Sequence, residues 1–457
     1  MKRFLLFLAA MSLSISVYAQ YIPPVEEDVK ANLAEWQDLK FGMFIHWGPY
    51  SQWGVVESWS ICPEESKWQY EPRGEMSYFE YLQAYEHLKD TFNPVSFDPG
   101  KWADAAKYAG MKYVVFTTKH HDGFCMFDTH QTDYKVTDEG CAFHSDPRAN
   151  IAREVFNAYR ARGIKTGAYF SFPDWHNNDF WWRKFPPKTR HINYNPHTFP
   201  EKWASYQDFI AAQLDELTSG EYGDLMLMWY DMPVTDPKRT VDYDWERFAK
   251  IVRGNQPGMI MVGRGRRTIY ENYQTPEQKI PEQALDYPWE SCITMANGWS
   301  FRRNPVYKST STLLTMLVQI VSRGGNFLLN VGPSPEGTLD EQAYERLREI
   351  GDWMQVNSEG IYATKAVAPY QDGKVYYTAK GDYVYAYYIP EEGESLPAQV
   401  ALPSFVPVSS KGVVMLGTGK ALKWQKAAGG GVVVSIPDSI RRKLPCEHIW
   451  CLKVKVK

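Results

Sequence analysis

The longest uninterrupted apolar signal near the middle of the chain is Leu225-Met-Leu-Met-Trp229, followed by Tyr230 and then by an acid, Asp231. A short continuous run of this kind suits a strand buried on both faces. Pro233 stands two residues further on and discourages regular structure from continuing. Asp231 is therefore expected at the C-terminal end of a buried strand, held where the chain leaves the core. Taken alone, such an acid reads as a cap on the next turn. Its surroundings along the chain change that.

Helical and strand periodicities alternate around this run. Asp98-Pro99 supplies an N-cap and a first-turn proline, and Trp102, Ala105, Ala106 and Ala109 follow at helical spacing. Gly110 ends that helix, and Tyr113-Val-Val-Phe-Thr117 reads as a strand. The unit repeats as a helix over about 150–162, Gly163, and the strand Lys165-Thr-Gly-Ala-Tyr-Phe-Ser171. A helix through Phe209, Leu214 and Leu217 leads by Gly220 into the run that ends at Asp231. Trp245 to Arg253 with Gly254 precedes Met259-Ile-Met-Val262, and Leu313 to Val321 with Gly324 precedes Asn326-Phe-Leu-Leu-Asn-Val331.

Such alternation implies a parallel sheet, for which a closed (β/α)8-type barrel and an open doubly wound sheet both fit. No strand is followed by GxGxxG, which lowers the nucleotide-binding form of the second. Thr338-Leu-Asp-Glu341 has the form of a capping box and predicts a last helix to about Val356. After Gly360 the strand-like segments Val375-Tyr-Tyr-Thr378, Tyr383-Val-Tyr-Ala-Tyr-Tyr388, Val413-Val-Met-Leu416 and Val432-Val-Val-Ser-Ile436 are separated by turn residues. They predict a small antiparallel β domain, a sandwich.

The N-terminus adds a location. Met1-Lys-Arg is positive, an apolar run follows from Phe4 to Val17, and Val17-Tyr-Ala19 meets the small-x-small rule for cleavage. That is the pattern of a secretory signal, too short for a comfortable membrane span. The mature protein is expected to begin at Gln20 and to be secreted or periplasmic, with no membrane span elsewhere. A net charge of −4 with mixed signs leaves no basic footprint for nucleic acid. Aromatic residues are plentiful, with 17 Trp and 30 Tyr, and exposed aromatic faces suit sugar rings. The six cysteines (Cys62, Cys125, Cys141, Cys292, Cys446 and Cys451) show no metal-binding spacing. Cys446 and Cys451, if on one strand, would lie roughly 16 Å apart, too far to bridge. Export permits disulfides, and the sequence assigns no pairing among the six.

Barrel enzymes carry their chemistry at the C-terminal ends of the strands. Here those ends are polar: Phe44-Ile-His46, Lys119-His-His-Asp-Gly-Phe124, Tyr169 with Asp174-Trp175, Asp231, Arg264 and Tyr287-Pro-Trp-Glu290. Two chemistries can use them. His46, His120, His121 and Asp231 could ligate a divalent metal for hydrolysis. Against this, adjacent His120 and His121 on a strand point to opposite faces. The other is a carboxylate pair, Asp231 and Glu290, acting on a glycosidic bond while histidines and aromatics hold hydroxyls and ring faces.

Three blocks discriminate further: Lys40-Phe-Gly-Met-Phe-Ile-His-Trp-Gly48, Lys112-Tyr-Val-Val-Phe-Thr-Thr-Lys-His-His-Asp-Gly-Phe124 and Gly324-Gly-Asn-Phe-Leu-Leu-Asn-Val-Gly-Pro333. Together they resemble the signature blocks of the α-L-fucosidases of glycoside hydrolase family 29, in order from about residue 35 to 360. The resemblance implies a (β/α)8-like catalytic barrel over 20–360 and a C-terminal antiparallel β-sandwich over 361–457. It implies a retaining exo-enzyme needing no cofactor and acting on fucosylated glycans or oligosaccharides. By position Asp231 matches the family's nucleophile and Glu290 its acid/base. His46, Trp59, His120, His121, Tyr169, Trp229 and Arg264 match residues that contact the sugar. The chain departs from the pattern at Glu57-Ser-Trp59, where the family's acid falls on Ser58, and at Val262-Gly-Arg264, where relatives often carry Asn-Asp-Arg. An α-L-galactosidase on the same scaffold and a non-catalytic glycan-binding protein are the alternative expectations.

Overall fold

The computed structural model describes residues 21–63, 74–231, 242–264 and 268–457. The expected signal segment and Pro233 lie outside the described residues. Seven parallel strands form the first sheet: β1 (Phe41–Ile45), β2 (Tyr113–Lys119), β3 (Lys165–Ser171), β4 (Leu227–Asp231), β5 (Ile260–Val262), β6 (Glu290–Thr294) and β7 (Asn326–Val331). Their order is β5-β4-β3-β2-β1-β7-β6. Helices Pro99–Tyr108, Ile151–Arg160, Pro200–Thr218, Trp245–Asn255 and Thr310–Ser322 occupy the predicted crossovers. Asp98, Asn150, Asp244 and Ser309 each start one by accepting a backbone N–H three residues on.

Between β5 and β6 an irregular segment takes the place of an eighth strand. Asn272 N–H donates to the Met261 carbonyl at 2.8 Å, Glu290 N–H to that of Gln274 at 2.8 Å, and Gln278 N–H to that of Cys292 at 3.0 Å. The sheet is thus barrel-like rather than open and doubly wound.

Two apolar cores explain why β4 is apolar without alternation. Leu227 and Trp229 face the barrel interior with Phe44, Tyr113, Val115, Cys292 and Leu328, while Met228 and Tyr230 face the surrounding helices. Strand parity then turns Asp231 to the barrel side, at its mouth. The base is closed by the helix Glu27–Leu39, whose Val29, Leu33 and Trp36 join the interior core. Trp36 stacks on Tyr273 at 4.1 Å between ring centroids.

The expectation that Glu290 ends a strand is overturned: it is the first residue of β6. Pro288 can give no N–H to a ladder, and pairing with β7 begins only at Glu290 opposite Asn326. A second correction concerns the last helix, Glu341–Asn357. Its cap is Asp340, which accepts the Gln342 N–H, and no capping box forms at Thr338.

Beyond the barrel, a five-stranded and a three-stranded antiparallel sheet enclose their own apolar core. Trp353 on the last barrel helix donates its indole N–H to the Ile449 carbonyl at 2.8 Å, tying the two parts together. All six cysteines are free thiols. Among the described residues no helix is long and apolar enough to cross a membrane.

Candidate active site

A cavity of about 410 Å³ opens at the C-terminal ends of the strands, within the range of roughly 300–1,000 Å³ usual for small-ligand sites. Asp231 lies in its wall, only 6 % exposed. Its Oδ2 accepts the Tyr169 hydroxyl at 2.7 Å, and its Oδ1 accepts the Arg264 guanidinium at 2.6 Å. Burial alone would push this carboxyl up. The charge of Arg264, then that of His121, and the two hydrogen bonds outweigh burial and hold it at about 2. It is an ionised acid in an enclosed, aromatic setting.

Arg264 reaches further. Its second terminal nitrogen pairs with Glu277, so one guanidinium bridges two carboxylates. Glu277 lies on the irregular segment after β5, lines the cavity, and keeps 36 % of its side chain exposed. The next residue docks this segment. Gln278 donates its backbone N–H to Cys292, and its side chain donates to the Thr294 hydroxyl and accepts the Thr294 N–H. Arg264 and Gln278 both have left-handed backbones (φ 50° and 53°), as does Glu57 (φ 41°), which also lines the cavity. Three non-glycine residues in that region around one cavity mark a site where local strain is held by surrounding contacts.

The histidines are oriented from behind. The amide of Asn330 donates to the Trp299 carbonyl, so its oxygen accepts Nδ1–H of His46 at 2.6 Å. Ser171 donates its hydroxyl to the Pro173 carbonyl and so accepts Nδ1–H of His121 at 2.6 Å. In both rings Nε2 is left as an acceptor. His121 Nε2 is buried without a partner, 3.7 Å from Asp231 Oδ2. An acceptor orphaned beside a carboxylate is costly to bury. His120 bonds Ser58 through Nδ1 and stacks on Tyr169 at 5.6 Å.

His120 and His121 do not point to opposite faces as strand alternation predicts. The register slips between Thr117 and Lys119, β2 ends, and the two rings lie 4.3 Å apart. Ligand atoms of His120, His121 and Asp231 consequently fall within 4.8 Å of one another. The set fits a cation poorly, because the Arg264 guanidinium already occupies the same carboxylate and would repel it.

Burial pushes His46 and His121 down to about 4 and His120 well below its ordinary value of 6.5. All three are neutral in the folded protein at neutral pH. In the unfolded chain they titrate near 6.5, so between there and about 4 only the unfolded state takes up protons. Their contribution to stability is therefore complete above 6.5 and is lost as pH falls toward 4. Thermal denaturation across that window should show a shallower decline for His46→Asn than for the wild type. Parallel curves would show that His46 does not carry the effect.

The cavity thus gathers His46, Trp59, His120, Tyr169, Trp229, Asp231 and Arg264, with His121 directly behind Asp231. Glu290 is not among the lining residues. It is 0 % exposed inside the barrel, accepting from Tyr113 and Trp229. Sequence reasoning did not single out Glu277, Arg190, Trp299 or Cys292, which also line the cavity. Thr275-Pro-Glu277 offers only a proline-flanked acid in a loop, without periodicity to place it. Glu57, one residue from the family's acid position, is buried in the wall and accepts the Ser300 N–H at 2.7 Å.

Known proteins resemble both parts of the chain. Residues 8–359 match the family model for alpha-L-fucosidase, and residues 369–455 match that for the alpha-L-fucosidase C-terminal domain. The tissue alpha-L-fucosidase of Homo sapiens is 30 % identical over 444 residues, covering 92 % of this chain and 89 % of that protein. That of Bos taurus is 31 % identical over 452 residues, covering 92 % and 88 %. Among solved structures, alpha-L-fucosidase isoenzyme 1 from Paenibacillus thiaminolyticus superposes with a TM-score of 0.77 at 30 % identity, covering 94 % of this chain and 100 % of that one. The Thermotoga maritima alpha-fucosidase in complex with fucose gives 0.72 at 25 % identity, covering 95 % and 97 %.

Proposed function

We propose, from the premise that the chain belongs to the α-L-fucosidases of glycoside hydrolase family 29, that it is an exported, retaining exo-enzyme removing terminal α-L-fucose from glycans by double displacement. Export rests on the Met1–Ala19 pattern. The observation that carries the mechanism is the single guanidinium of Arg264 spanning the carboxylates of Asp231 and Glu277. A pair bridged by one side chain is close enough to serve one glycosidic bond from two sides; double displacement requires a separation of about 5–5.5 Å, and inversion roughly 6.5–9.5 Å.

In this reading Asp231 attacks the anomeric carbon and forms a β-linked glycosyl ester. Its low protonation range and rigid strand-end position suit a nucleophile that must be ionised throughout. Glu277 gives its proton to the departing oxygen and afterwards takes one from water. The acid must meet the leaving group on the open side of the cavity. Glu277 is there and Glu290 is not, so the acid/base role passes from Glu290 to Glu277. Substrate entry separates Glu277 from Arg264 and leaves the guanidinium on Asp231. His46, whose Nε2 is left as an acceptor, and His120 face the sugar hydroxyls, while Trp59, Trp229 and Trp299 wall the ring.

The test is the purified protein on aryl α-L-fucoside and aryl α-L-galactoside, with and without exhaustive chelation, following the product anomer by NMR. Hydrolysis of the fucoside with α-fucose released first, unaffected by chelator, is the expected result. Preference for the galactoside would replace the substrate, β-fucose as first product would replace the mechanism, and loss of activity tracking bound zinc would replace the histidine roles.

A further inference from the structure

Glu290 is a buried acid that this chemistry leaves unused. Its Oε2 accepts the Tyr113 hydroxyl at 2.6 Å and its Oε1 accepts the Trp229 indole N–H at 3.1 Å. Among the described residues no cation pairs with it, and an acid buried without a counter-charge is a costly thing to keep in a barrel interior. Burial pushes its carboxyl up to about 7, a range that a general acid could also use, but no part of it reaches the cavity.

One of its two partners does reach the cavity. Trp229 lies two residues before Asp231, lines the site, stacks on Tyr169 at 5.5 Å and 21°, and carries the Arg264 guanidinium over its ring at 5.4 Å. Tyr169 and Arg264 both hydrogen-bond Asp231. The indole N–H is the only polar handle on that ring, and Glu290 holds it from below.

We propose that Glu290 is a positioning residue for the fucosidase reaction, acting by holding the Trp229 indole as the surface on which Tyr169 and Arg264 align the Asp231 carboxylate. The proposal rests on the reading of Asp231 as nucleophile. No proton passes between Glu290 and the substrate. The role requires an acceptor for the indole, not an acid, so glutamine should serve: its oxygen can accept from Trp229 while the Tyr113 hydroxyl turns to accept from the amide.

The experiment compares Glu290→Gln, Glu290→Leu and Trp229→Phe in the full chain. It measures kcat and KM on aryl α-L-fucosides with good and poor leaving groups, azide response, and fucose affinity by calorimetry. Glu290→Gln should stay within about tenfold of wild type. Glu290→Leu should lose on the order of 10²-fold in kcat/KM by the same factor for both leaving groups, without azide rescue. Trp229→Phe, which keeps a ring but removes the N–H, should show a uniform loss and weaker fucose binding. A leaving-group-dependent loss restored by azide in Glu290→Gln would make Glu290 the acid/base and overturn the proposal. Wild-type rates in Glu290→Leu would overturn it as well. Should Glu290→Leu fail to fold, Trp229→Phe decides, since an unaltered rate there means that the held N–H does nothing. If the wild-type protein cleaves no α-L-fucoside, the functional reading fails separately, and fucose affinity in Glu290→Gln and Trp229→Phe still reports on the hold.

Discussion

Replacing Asp231 by glycine is expected to lower turnover of an aryl α-L-fucoside by on the order of 10³-fold or more while the protein still folds and binds fucose. Covalent catalysis is lost outright, because no neighbouring group can take the place of the carboxylate. The Tyr169 hydroxyl, 2.7 Å from Asp231 Oδ2, is a far weaker nucleophile than a carboxylate, and His121 Nε2, 3.7 Å from the same oxygen, belongs to a ring tied back through Ser171. The hydroxyl-binding histidines remain, so binding is spared. Truncation also vacates the face from which Asp231 attacks. Added azide should enter there, displace the leaving group once, and give the β-fucosyl azide. A variant retaining a tenth of wild-type turnover, or yielding only the α-azide, would remove Asp231 from the nucleophile role.

Glu277→Ala should behave oppositely. With the general acid gone, the first step survives for leaving groups that need no proton and is crippled for those that do, by roughly 10²-fold or more. The second step then lacks its base, so the β-linked ester accumulates on activated substrates. Azide needs no base and should restore turnover by attacking that ester from the opposite face, giving the α-fucosyl azide. Equal impairment of activated and natural substrates would move the role elsewhere, with Glu57, buried in the cavity wall, the next residue to replace. The α-azide here and the β-azide from Asp231→Gly together separate the two carboxylates by stereochemistry alone.

Loss of Arg264 from either carboxylate would reach both roles. The guanidinium keeps Asp231 ionised and holds Glu277 close to it in the free protein.

Strand periodicity was enough to place much of this site. The run from Leu225 to Tyr230 is apolar at every position because β4 is covered on both faces, and that pattern places Asp231 at a strand end; that it turns to the barrel side follows only from Leu227 and Trp229 lying inside. The polar ends of β1, β2 and β3 were legible for the same reason, since a buried parallel strand gives way abruptly to residues that serve the surface. The helix caps at Asp98 and Asn150 were local matters of side chain and backbone, and local sequence suffices for them.

What lay outside the reach of pattern was whatever depended on irregular backbone or on contacts between distant segments. Glu290 sits beside an apolar run, and only the pairing of β6 with β7 determines whether it begins or ends the strand. Beginning it places the acid beneath the cavity. Glu277 stands on a segment that replaces an eighth strand and has no period of its own; its position comes from Gln278 docking on β6 and from Arg264, both in left-handed conformations that sequence does not announce. The register slip at the end of β2, which brings His120 and His121 to one side, is likewise set by packing against β3. Strand burial follows from the order of apolar and polar residues along the chain; the meeting of Asp231, Arg264 and Glu277 requires three separate stretches of backbone to be folded against one another first.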